Sequence, residues 1–163
     1  MATAEELNKS GMELYKAGKH ADAIVAYEEA VALKPDYAPC YINLIFAYLK
    51  RNRPDAAVHA AQRALALAPQ AGQAHYAYGN ALNAKGRWNE AVTAYVRASE
   101  LENSQVGALV LAGNLCMDHG LTPKAIELWK KFLSAAPAEH PKRKETEEQL
   151  QQAEHGPKLI SKY

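Results

Sequence analysis

Ala23, Ala57, Ala91 and Ala125 stand thirty-four residues apart, and the same interval separates Ala30, Ala64 and Ala98. Pro35 returns as Pro69 and, two intervals later, as Pro137. Small residues and chain breakers that recur together at one spacing mark a stacked array, in which each unit is a single supersecondary motif. Such units bury their apolar faces on their neighbours, and no single central core forms.

Within each interval the apolar residues follow a helical period. In the first unit Leu7, Gly11, Leu14 and Tyr15 share one helix face, Gly18 breaks the chain, and Ala23, Tyr27 and Ala30 line a second helix that Pro35 ends. The second unit opens after Asp36, read as an N-cap, carries Tyr41, Leu44, Ile45 and Tyr48, turns at residues 52–54, and closes an alanine-rich helix at Pro69. The third carries His75, Tyr78, Gly79 and Leu82, turns at Gly86, and continues through Ala91, Tyr95 and Ala98 to Asn103, which is expected to stop the helix in the left-handed conformation. In the fourth, Leu109, Gly113 and Cys116 precede a turn at His119 and Gly120, then a helix with Thr122 as cap and Pro123 in its first turn. Phe132 replaces the small residue of earlier units, so what packs next is not expected to be another ordinary repeat.

Residues 1–139 thus divide into four repeats, at about 4–37, 38–71, 72–105 and 106–139. Residues 140–157 read as a capping helix that starts at Pro141 and stops at Gly156 and Pro157, with a thin stripe of Thr146, Leu150 and Ala153. A polar outer face of this kind keeps the end of a stack soluble. Residues 158–163 are too few to fold and are expected to form a disordered tail. The expected class is all-α, a solenoid of antiparallel helix pairs.

Charge narrows the partners. A formal net charge of +1 gives no reason to expect nucleic acid. Residues 4–37 carry −3 and residues 38–71 carry +3, an opposition able to order adjoining repeats or steer a partner. The most apolar stretch, residues 106–117, is shorter than the roughly twenty residues a membrane span requires. Glu5 and Glu6 stand where a secretory leader would carry basic residues, so a cytoplasmic location without membrane insertion is expected. Cys40 and Cys116, two repeats apart, read as reduced packing thiols.

On these residues the chain resembles the tetratricopeptide repeat family over about residues 4–137. The family's small positions match Gly11, Gly79 and Gly113 in first helices and Ala23, Ala57, Ala91 and Ala125 in second helices. Its large positions match Tyr27, Tyr95 and Trp129, and its terminators Pro35, Pro69 and Pro137. Departures are Ile45 for glycine, Ala61 for the aromatic residue, and Phe132 for a small one. The resemblance implies a right-handed superhelix whose first helices line a concave groove for peptides or other proteins.

Carried along the interval, that groove would contain Met12, Ile42, Asn43, Phe46, Tyr76, Asn80, Val110, Asn114 and Met117. Asn43, Asn80 and Asn114 either meet the backbone of an extended ligand or bond a neighbouring helix. The apolar members favour a hydrophobic or amphipathic segment, because one buried large side chain contributes about 1.5–3 kcal/mol against about 0–1 for an exposed ion pair. Many family members grip the acidic C-terminus of heat-shock chaperones with a lysine, asparagine and arginine clamp. Of those positions only Asn43 matches; Asn8, Met12, Gln73 and Ala77 occupy the others, so that motif is not the expected ligand.

Catalytic patterns are missing: no phosphate-cradling glycine loop, metal-binding histidine pair or nucleophile elbow occurs, and no cofactor is expected. His75 reads as a packing residue, and Cys116 with His119 lacks a group to orient the histidine. The expected function is a non-enzymatic adaptor or scaffold binding a partner segment in its groove. The alternative is an assembly module that self-associates through convex or terminal surfaces, motivated by Phe132, the thin cap, Leu159 and Ile160.

Overall fold

A computed structural model describes residues 1–156. Among them are nine α-helices and no strand: α1 (Ala4–Lys16), α2 (His20–Leu33), α3 (Ala38–Lys50), α4 (Pro54–Leu67), α5 (Gly72–Ala84), α6 (Trp88–Leu101), α7 (Ala108–Asp118), α8 (Thr122–Ala135) and α9 (Arg143–His155). Each helix packs on the next, and α1 also touches α3 as α3 touches α5. The chain is therefore an all-α solenoid of helix pairs, with first helices in a row. The expected tail and the stop at Pro157 lie outside the described residues, as do Leu159 and Ile160.

One residue per repeat makes the turn between paired helices possible. Gly18, Asn52, Gly86 and Gly120 all have positive φ, at 78°, 53°, 75° and 75°. The following N–H then reaches back five residues, from Lys19 to the Leu14 carbonyl, Arg53 to Tyr48, Arg87 to Leu82 and Leu121 to Cys116, at 2.7–2.9 Å. This is the Schellman closure, which satisfies carbonyls that the helix end would leave unpaired.

The helix crossings show why the small residues recur. A Cβ at Gly79 would come within 2.6 Å of the Tyr95 ring, and one at Gly113 would collide with Trp129 as one at Gly11 would with Tyr27. Glycine lets the aromatic side chain of the second helix lie across the backbone of the first. Ala23, Ala57, Ala91 and Ala125 are completely buried at the same crossings.

Several boundaries differ from the sequence reading. Asp36 is not the cap of α3: Tyr37 occupies that position, no side chain bonds the helix end, and Pro39 in the first turn removes one unpaired donor. Leu121 is the N-cap of α8, and Thr122 is its first residue. Asn103 is not left-handed; α6 ends at Leu101, and Asn103–Gln105 forms a short 3-10 turn. Glu102 instead joins two repeats, its Oε1 accepting from the Gly72 N–H at 2.7 Å and the Gln73 N–H at 3.4 Å. That carboxylate satisfies free donors at the N-terminus of α5 and lies at the positive end of its dipole.

The stack changes after α8. Phe132 is enclosed and meets the His140 ring edge-on at 5.0 Å, so the segment leading to α9 covers the larger side chain. Helix α9 starts at Arg143, two residues later than Pro141. Arg143 donates to the carbonyls of Leu133 and Ala136 at 2.9 and 3.0 Å, closing the end of α8. Thr146, Leu150 and Ala153 turn inward as the stripe requires. The opposite charges of the first two repeats do not pair with each other among the described residues; Asp55 instead bonds Lys85 at 2.5 Å, and Glu5 bonds Lys34 within the first repeat at 2.7 Å.

Candidate functional site

The row of first helices divides the expected groove residues into two sets. Met12, Phe46, Asn80 and Asn114 occupy one repeated position, and all keep some surface; Met12 is 40% exposed. Asn8, Ile42, Tyr76 and Val110 occupy another, and three of them are buried, at 7%, 7% and 3% exposure for Asn8, Ile42 and Val110. Ile42 and Val110 are thus core residues, not groove surface, because at this position the side chain enters the contact between helices. Tyr76 is the exception, and its ring extends out of the crossing.

Two aromatic rings run along the face and a third lies beneath them. Phe46 and Tyr76 have centroids 6.5 Å apart, and Tyr76 lies 5.9 Å from Tyr95, with tilted planes in both contacts. These spacings fall within the favourable range for aromatic pairs. Phe46 and Tyr76 remain half-buried, so the protein covers one side of this apolar strip and leaves the other open. Tyr95, on a second helix, is 2% exposed and lies beneath the strip, its ring crossing α5 where Gly79 leaves room.

The asparagines serve neighbouring helices. Asn80 Oδ1 accepts from the Tyr95 hydroxyl at 2.7 Å, and Asn114 Oδ1 accepts from Trp129 Nε1 at 3.1 Å. Asn43 Nδ2 donates to Asn8 Oδ1 at 2.9 Å, linking the first two repeats. Asn80 and Asn114 have no protein partner for Nδ2 among the described residues, so those donors remain for a ligand or water.

Toward the C-terminal end the face deepens. Asn114 and Met117 from α7, with Trp129 from α8, line an open cavity of about 940 Å³ whose far wall is α9. The thioether of Met117 lies 3.6 Å from the Thr122 hydroxyl, which fixes one end of that lining. The strip of rings and this cavity are separate features, and the structure does not gather all the expected residues at one point. The contribution of α9 lay outside the thirty-four-residue pattern; its one visible signal was the Glu and Gln run at residues 147–152.

The cysteines and the two histidines singled out in the sequence, His75 and His119, are packed or bonded within the fold. Cys40 is enclosed, donates to the Tyr27 carbonyl at 3.4 Å, and has its thiol pushed up to about 12 by burial. Burial also raises the Cys116 thiol, and His119 stacks flat on Trp88 at 4.1 Å. His75 Nε2 lies 2.9 Å from the Pro69 carbonyl, bracing the α4–α5 connection. No cluster of three metal-ligating side chains occurs among the described residues, and no described helix is long and apolar enough to cross a membrane.

Comparison with known proteins agrees with the helical-repeat fold. Residues 14–81 match the tetratricopeptide repeat family model. The small glutamine-rich tetratricopeptide repeat-containing protein 2 of Mycosarcoma maydis is 33% identical over 104 residues, 64% of this chain and 30% of that protein. The E3 ubiquitin-protein ligase CHIP of Arabidopsis thaliana is 31% identical over 100 residues, 61% of this chain and 36% of its own length. The chain therefore spans about a third of these curated relatives. Among solved structures, MamA superposes with a TM-score of 0.74 at 27% identity, over 96% of this chain and 79% of MamA. The first tetratricopeptide repeat domain of Spaghetti (RPAP3), bound to the HSP90 peptide SRMEEVD, gives 0.69 at 24% identity, over 72% of this chain and 94% of that one; this last likeness is one of fold.

Proposed function

The chain belongs to the tetratricopeptide repeat family, and from that premise we propose a non-enzymatic protein-interaction module that holds a hydrophobic or amphipathic partner segment on its row of first helices. The observation that carries this reading is the half-open strip of Phe46 and Tyr76, extended by the exposed Met12. A fold that needed these side chains only for stability would enclose them, as it encloses Ile45 and Leu82. Covering large apolar side chains is worth about 1.5–3 kcal/mol each, enough for two or three anchors to dominate affinity.

An acidic chaperone terminus is a poor fit to this surface. Asn43, the single match to the carboxylate clamp, already donates to Asn8, and Ala77 is buried. Two carboxylates placed there would lose their hydration without a cation to replace it. The self-association alternative loses Phe132, which is enclosed, and its Leu159 and Ile160 lie outside the described residues; Leu33 and Leu67, exposed at the ends of α2 and α4, are surfaces it did not include.

Affinity capture from native extract, with the intact chain against Phe46→Ala/Tyr76→Ala, tests the proposal. A specific protein retained by the first and lost by an equally helical variant supports it. Equal capture by both, or capture only of further copies of the chain, contradicts it.

A further inference from the structure

We propose that the cavity between α7, α8 and α9 receives the part of a partner segment where a lysine or arginine stands beside an aliphatic or aromatic residue. The inference rests on the reading that this face holds a polypeptide, and it names the chemistry wanted at its C-terminal end. The volume, about 940 Å³, lies within the range of built ligand sites and suits a few side chains. Met117, Trp129 and Ala153 supply apolar wall, which selects against a purely polar occupant.

Charge gives the cavity its sign. Asp118 and Glu148 line it, and among the described residues neither has an ion-pair partner and no lysine or arginine joins the lining. Their neighbours on α9 are treated differently: Glu147 pairs with Arg143 at 3.2 Å and Glu154 with Lys130 at 2.5 Å. Those two carboxylates are balanced by the protein, whereas Asp118 and Glu148 are open to an incoming cation.

A third observation is independent of charge. Gln149 also lines the cavity, and its Oε1 is buried without a donor among the described residues. A buried acceptor destabilises the fold until something donates to it, and a lysine ammonium or arginine guanidinium brings three or five donors on an apolar stem. That stem would lie along Met117 and Trp129 while the head meets Gln149 and the carboxylates. An acidic segment would meet two like charges and bring no cationic donor to Gln149.

The test uses the full chain and two fluorescein-labelled octapeptides, Ser-Lys-Leu-Leu-Ser-Lys-Leu-Ser and its twin with glutamate for both lysines, followed by anisotropy. The lysine peptide should bind about tenfold or more tightly than its twin at low salt, with the margin narrowing as salt is added. Asp118→Asn/Glu148→Gln, two exposed changes that keep side-chain shape, should remove most of that margin without moving the unfolding midpoint. Phe46→Ala should weaken both peptides alike and keep their ratio. If Phe46→Ala changes neither while the ratio persists, the cavity proposal survives and the wider groove reading fails. Equal binding of the two peptides, binding of neither, or a margin unchanged in Asp118→Asn/Glu148→Gln overturns the cavity proposal. So does lysine-peptide binding that appears only in Lys158→Glu/Lys162→Glu, which would make the chain's own terminus the occupant.

Discussion

Ile45 on α3 and Ala61 on α4 reverse the sizes found at the other three helix crossings, where Gly11 meets Tyr27, Gly79 meets Tyr95 and Gly113 meets Trp129. Both are completely buried, so the large side chain has moved from the second helix to the first and the crossing has stayed filled. Volume is kept while its source changes. Ile45→Ala should therefore cost about 2–5 kcal/mol, the range for emptying a buried aliphatic site. Ala61→Tyr alone should be destabilising through overpacking, whereas Ile45→Gly/Ala61→Tyr should recover much of the loss. Urea unfolding of the single and double variants measures the coupling, and strictly additive costs would refute the exchange.

Asn80→Ala should cost about 1–3 kcal/mol by leaving the Tyr95 hydroxyl without its acceptor. Asn80→Leu combined with Tyr95→Phe should cost less than Asn80→Leu alone, since the unmet donor is gone. The same argument applies to Asn114, whose partner Trp129 Nε1 can only donate. Denaturation midpoints that rank the double variant below the single one would contradict it.

Glu102→Ala should remove the carboxylate cap from α5 and cost about 0.5–2 kcal/mol, with the Gly72 and Gln73 amides losing exchange protection first. Gly72→Ala should be destabilising too, because its Cβ would fall 2.7 Å from the Glu102 side chain. Hydrogen exchange read by mass spectrometry separates a local effect at the start of α5 from a general loosening.

Alkali should weaken the fold through groups that are neutral when protonated. Burial pushes the Cys40 thiol from 9.0 and the Tyr27 phenol from 10.0, each up to about 12. Between those values the unfolded chain has released protons that the folded chain retains, so each rise in pH favours unfolding. Stability should be flat in this respect below pH 9.0 and fall toward pH 12. Cys40→Ala should make the fall shallower. Urea midpoints measured across that window, together with the rate at which an aromatic disulfide reagent labels the native thiols, provide the check; rapid labelling of Cys40 would contradict its burial.

The parts of the fold that repeat were the parts legible in the sequence. The thirty-four-residue interval located the turns at Gly18, Asn52, Gly86 and Gly120, because a left-handed residue is needed wherever paired helices reverse. The family resemblance marked the glycines and the aromatic residues, and the structure shows that each glycine meets the ring of its own helix pair. Exposure did not follow from the interval alone. Ile42, Tyr76 and Val110 share one position, yet the aliphatic side chains end inside the helix contact and the longer tyrosine reaches beyond it. The asparagines were read in the right place with their roles open, and the aromatic partner fifteen residues on, Tyr95 or Trp129, decides what their Oδ1 atoms do. The cavity under α9 was hidden, since it depends on how a non-repeating helix docks on the last pair.

Site-specific photo-crosslinking tests the central claim most directly. A benzophenone amino acid is placed at Phe46 on the open strip, or at Leu33 on an exposed end of α2, and the chain is irradiated in native extract. Adducts to one partner protein from Phe46, abolished by Tyr76→Ala and absent from Leu33, are the expected result. Adducts from Leu33 alone, or adducts at Phe46 that contain only a second copy of this chain, would contradict binding of a partner segment on the row of first helices.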